Sequence, residues 1–92
     1  MTDETMESRV FMLKSFHDAL ANPKTSAKVR ATVLASAMQA ESYMLDHMDE
    51  LLAARERFLD EETLESLQGA AYIDMLLSSF KEAGRLDHRK HQ

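Results

Sequence analysis

The chain of 92 residues contains no cysteine and no tryptophan, one proline and two glycines. Without cysteine there can be no disulfide, no thiolate metal site and no sulfur nucleophile. So few Gly and Pro residues exclude a β-sandwich or barrel, which needs a turn about every ten residues. No apolar run approaches the length of a membrane span. The opening MTDETMES is too acidic for a signal peptide, so the expected compartment is the cytoplasm.

What remains is the composition of one small soluble domain, 45% hydrophobic and 29% charged. We place that domain at residues 1–84, followed by a polar, flexible C-terminal tail at 85–92. The net charge of −5 is unevenly spread. Residues 23–40 carry Lys24, Lys28 and Arg30 and no acid, whereas residues 41–66 hold nine acids against two arginines. An acidic chain is repelled by phosphate backbones, and three basic residues are too few to reverse that, so no direct nucleic acid binding is expected.

Punctuation divides the chain into three helical stretches. The first runs over Asp3–Ala21, with Thr2 as cap and Met1 and Met6 at staple spacing. Asn22-Pro23 ends it, because the residue before proline avoids the α region. The second runs from about Ser26 to Phe58 with no internal Gly or Pro. The third runs from about Glu61 to Ala83, with Asp60 as cap, Leu59 and Leu64 as staple, and Gly84 as the residue that closes it. One echo stands out, Glu4-Thr5-Met6-Glu7-Ser8 against Glu62-Thr63-Leu64-Glu65-Ser66. It stops after five residues, so it reads as the same first-turn chemistry used twice rather than as a duplicated unit.

Helical periodicity then assigns faces. The first helix packs through Met6, Val10, Leu13, Phe16 and Leu20, and leaves Phe11 and Met12 off that face. The second carries two adjacent apolar stripes. One holds Val29, Val33, Ala37, Ala40, Met44, Leu51 and Phe58. The other holds Leu34, Met38, Leu45, Met48, Leu52 and Leu59. Two stripes receive two neighbours, so this long helix is central to an antiparallel three-helix, all-α arrangement. At 1.5 Å per residue it spans roughly 50 Å, longer than either cover. The third helix also has two apolar faces. Leu64, Leu67, Ala71 and Met75 make one. Gly69, Ile73, Leu76, Phe80 and Ala83, flanked by Tyr72 and Leu77, make a heptad-like seam. A three-helix monomer cannot cover both, so the expectation is a homodimer through the Ile73–Leu76–Phe80 seam.

The sequence offers little chemistry. His17 and His47 lack a second ligand at helical spacing beyond Glu50, and His88 and His91 share a basic tail with Arg89 and Lys90, so no metal or cofactor is expected. No Gly-rich loop exists to hold phosphate, and no nucleophile–base pair shows itself. His47-Met48-Asp49-Glu50 lacks the Lys-Gly pair that follows the histidine of phosphotransfer bundles. The chain is therefore read as non-enzymatic. Glu41 and Arg55 are the charged residues on the broad face of the second helix, either paired at its rim or reserved for a partner. The candidate protein interface comprises Phe11, Met12, Arg55, Tyr72, Ile73, Leu76, Leu77 and Phe80. The expected function is to bind and occlude a larger protein, as an anti-activator covers a transcription factor's dimerisation face. A secretion or assembly chaperone holding a partner's helix, and a purely structural homo-oligomer, are the alternatives.

Overall fold

A computed structural model describes residues 5–84. They form four helices, α1 (Met6–Ala21), α2 (Ala27–Asp46), α3 (Met48–Glu61) and α4 (Leu64–Glu82), and no strand occurs among the described residues. The fold is all-α, as composition required, but it has four helices rather than three. The proposed caps and staple at Thr2 and Met1, and the tail at 85–92, lie outside the described residues.

The long second helix breaks at His47, whose backbone (φ −125, ψ 48) leaves the helical region. Its imidazole Nδ1 lies 2.8 Å from the Tyr43 carbonyl oxygen and its ring stacks on Tyr43 at 4.0 Å. The same carbonyl also accepts the His47 backbone N–H. The ring is thus held against the last turn of α2, where the chain leaves the helix without Gly or Pro. The chain restarts at once, because Asp49 and Glu50 occupy the first turn of α3, where negative charge suits the exposed N–H groups. An unbroken helix of roughly 50 Å would also exceed the 37 Å greatest extent of the molecule.

The start of α4 differs from expectation by three residues. Asp60 lies inside the last turn of α3, and Thr63 is the cap. The Thr63 hydroxyl accepts from the Ser66 N–H at 3.0 Å, while the Ser66 hydroxyl faces the Thr63 N–H at 2.9 Å. This reciprocal capping box satisfies two donors that the first turn would leave open. Thr5 plays the same part for α1, accepting from Ser8 N–H at 3.0 Å. The five-residue echo is thus a shared cap. Between α3 and α4, Glu62 takes the left-handed conformation (φ 57) that turns the chain. Gly84 does so after α4 (φ 74), where a closing glycine was placed.

The largest contacts are between sequence neighbours, α1 with α2 and α3 with α4. The molecule is therefore two helical hairpins set against one another. Their shared core holds Met6, Val10 and Leu13 from α1, Ala37, Met44 and Leu45 from α2, Leu51, Ala54 and Phe58 from α3, and Ala70, Ile73, Leu76 and Phe80 from α4. Gly69 faces Phe58 so closely that a Cβ there would lie 2.8 Å from the ring. The two hairpins are tied at the surface by Arg57, whose Nε and terminal nitrogen donate to the Glu7 carboxylate at 2.7 and 2.8 Å.

Candidate protein-binding surface

The heptad-like seam of the last helix is interior. Ile73, Leu76 and Phe80 are 0%, 1% and 1% exposed, and the two hairpins of one chain already cover them. That overturns the expectation of a dimer through this seam. Tyr72 and Leu77 pack against the same core and are partly buried. The other face of α4 is the open one: Leu64 is 76% exposed, and Leu67, Ala71 and Met75 are exposed with it. Both faces were legible as apolar, but their roles are exchanged. Gly69 is the residue that distinguishes them, because only the inner face needs a gap for the Phe58 ring.

Leu64 shows how unusual the open row is. It holds the first helical position after the Thr63 cap, the place that Met6 holds after Thr5. Met6 is 5% exposed and belongs to the core, whereas Leu64 is the most exposed large apolar residue of the described chain. The cap does not require an apolar residue there.

Arg55 sits where this row meets α3. Its Nε donates to Asp74 Oδ1 at 2.6 Å and a terminal nitrogen to Oδ2 at 3.3 Å, a two-pronged ion pair. The Asp74 carboxylate holds the guanidinium above its ordinary pKa. On α3, Leu52, Arg55 and Leu59 recur at spacings of three and four and share one side. On α4, Leu67, Ala71 and Asp74 do the same. The Arg55–Asp74 pair joins the edges of those sides, with the exposed Leu59 on the turn side of the bridge, as are Leu67 and Ala71, and the exposed Leu52 beyond it. The result is an apolar surface with a satisfied ion pair within it. Of the two readings of Arg55, the intramolecular pair is present.

The helix α1 candidates separate. Phe11 is partly buried and meets Phe58 edge to face, with ring centroids 5.4 Å apart at 68°. It therefore has a place in the fold, and the expectation that it stands free of the core is corrected. The sequence hides this because its periodicity continues straight from α2 into α3. Once the chain turns at His47, Phe58 reaches α1. Met12, at 42%, is exposed.

Several of the described polar groups link one helix to another. Tyr72 hydroxyl, His17 and Glu41 form a chain across α4, α1 and α2, with His17 Nε2 3.0 Å from Glu41 Oε2. Burial, reinforced by the negative charge of Glu41 and Asp18, pushes the Tyr72 phenol above its usual pKa, so it remains a donor. Arg30 donates to the carbonyls of Leu20 and Asn22 and closes the α1–α2 turn. Arg9 lies 3.9 Å over the Tyr43 ring. Shallow clefts line the surface, one between α1 and the start of α4 beside Glu7, Phe11, Glu61 and Glu65. Among the described residues no group of three or more His, Asp or Glu side chains gathers as a metal site, and no helix is long and apolar enough to cross a membrane.

The chain matches no protein-family model, and neither a curated protein nor a solved structure shows significant similarity to it.

Proposed function

We propose that the protein is a non-enzymatic, cytoplasmic binding protein that docks on a larger protein and covers part of its surface. The open apolar row on α4, extended onto α3 by Leu59 and Leu52 on either side of the Arg55–Asp74 bridge, carries this reading. Apolar side chains scattered singly over a surface need no explanation, but a contiguous row of them does. Here the row occupies the outer side of a helix whose inner side is already fully packed. An anti-activator that covers the dimerisation face of a transcription factor is the regulatory version of this reading. In the same reading the free protein is a homodimer, which shields the row until the partner takes it.

The test is affinity capture from the native host with reversible cross-linking, comparing the wild type with Leu64→Glu/Leu67→Glu. The variant alters only exposed positions and should keep its helical far-UV spectrum. A partner held by the wild type and lost by the variant is the expected result. Identical sets of captured proteins would overturn the reading.

A further inference from the structure

A second apolar row lies open on the first half of α2. Ala27, Ala31, Leu34 and Met38 recur at spacings of four, three and four, and all four are exposed, Met38 to 60%. Leu34 and Met38 belong to the second stripe read from the sequence, Ala27 and Ala31 extend it toward the start of the helix, and this end is left uncovered. Its charge surroundings are the opposite of those at α4. Lys24 and Lys28 are exposed beside its start, and no acid occurs between residues 23 and 40. The start of the α4 row is ringed by Asp60, Glu61, Glu62 and Glu65, all exposed.

We propose that in the free protein a second copy of this chain covers the α4 row, with α2 of one copy lying parallel to α4 of the other. The inference rests on reading the α4 row as a docking surface and names its occupant when no other partner is present. Three observations select this mate and this direction. The rows match in length: Ala27 to Met38 and Leu64 to Met75 are the same number of residues, about 16 Å of helix. They match in size at three of the four positions when parallel, because Ala27 and Ala31 then face Leu64 and Leu67, and Leu34 faces Ala71; the flexible Met38 and Met75 meet at the far end. They match in charge in the same alignment, which sets Lys24 and Lys28 beside Glu61, Glu62 and Glu65. The antiparallel alignment loses both. It stacks Leu34 on Leu67 and carries the lysines toward Lys81. A two-fold axis uses the contact twice, α2 on α4 and α4 on α2, and closes the assembly as a dimer. Doubling the contact also brings a pair of short helical rows toward the roughly 800 Å² per partner that a stable interface buries.

Sedimentation equilibrium at low ionic strength tests the proposal on the intact chain. The wild type should have twice the 10.5 kDa mass of the chain. Lys24→Glu/Lys28→Glu and Glu61→Lys/Glu65→Lys should each weaken dimerisation at least tenfold, because each places like charges together in both contacts. An equimolar mixture of the two should restore a dimer about as tight as the wild type, because both contacts of the mixed dimer are again of opposite charge. Direction is read by disulfide formation, for which the cysteine-free chain is a clean background. Met38→Cys mixed with Met75→Cys should give a covalent dimer, and Met38→Cys mixed with Leu64→Cys should not. A monomeric wild type at about 100 μM, far above the dissociation constant of a specific contact, would overturn the proposal. So would a dimer indifferent to both charge reversals, an open polymer, or cross-linking of Met38 to position 64. Failure here is separable from failure of the docking reading. A monomer that still loses its captured partner on Leu64→Glu/Leu67→Glu defeats only the dimer. A charge-swapped dimer with no such partner defeats only the docking.

Discussion

At the scale of single residues, the fold turns on a few side chains whose roles hydrophobicity alone does not reveal. Phe11 contacts the Phe58 ring and lies against the core. Replacing it by alanine should therefore cost about 1–2 kcal/mol in urea unfolding, the worth of a partly buried aromatic and its ring contact. Met12→Ala, one position on and exposed, should stay within about 0.5 kcal/mol. Gly69 reverses the ordinary rule for helix interiors, where alanine is better by about 1 kcal/mol. A methyl at Gly69 would meet the ring of Phe58, itself buried and held by Phe11. Gly69→Ala should therefore destabilise by about 1–3 kcal/mol. A gain in melting temperature would show that Phe58 can step aside. Gly69 could be read from the sequence as helical and on the inner seam. Which residue of α3 it receives depends on where the chain turns between α3 and α4, at Glu62 rather than before Asp60.

At the scale of helices, the ends set the architecture. Thr63 and Ser66 cap α4 with hydrogen bonds in both directions, while Asp60 lies in the last turn of α3. Thr63→Ala should cost about 1 kcal/mol and Asp60→Ala no more than a few tenths, by chemical denaturation of the two variants side by side. The inner face of α1, the turn at Asn22-Pro23 and the closing Gly84 are legible, because each depends on neighbours a few residues away; on α2 only the second half of the expected face, Ala37, Met44 and Leu45, is buried, while Val29, Leu34 and Met38 are exposed. Asp60 misled because an acid followed by two glutamates looks like a helix start. The true start was visible in the echo, since Thr5 and Thr63 each stand three residues before a serine. The break at His47 left a fainter trace. Asp49 and Glu50 are where a new helix would place its acids, but no Gly or Pro marks the stop before them. On α4 two apolar faces competed for the core, and periodicity gives phase without saying which phase points inward.

At the scale of the whole molecule, the hairpins are joined by a core and by the Glu7–Arg57 pair, which links residues 50 positions apart. The Arg57 guanidinium holds the Glu7 carboxyl below its ordinary value of 4.5. A carboxyl with a lowered folded-state pKa contributes stability above its unfolded value and loses it as pH falls through the folded one. Stability should thus decline as acid is added below about pH 4.5, and part of that decline should be missing in Glu7→Gln. Urea midpoints measured on both proteins from neutral to acid pH check this. Parallel curves would show that the pair contributes nothing to the pH dependence.

The two-hairpin layout also sets how quickly the chain can find its structure. α1 packs chiefly on α2, and α3 on α4, so most of the ordering requires only short loops to close. Short loops are entropically cheap, and proteins dominated by such local contacts fold in microseconds to milliseconds. Each hairpin can assemble before it meets the other. On this layout the contacts of longest range, Phe58 with Phe11 and Arg57 with Glu7, are the ones expected to form last, as the hairpins dock. A chain that folds this way exposes its inner seam only briefly, and its outer rows remain the lasting apolar surface it offers to other molecules.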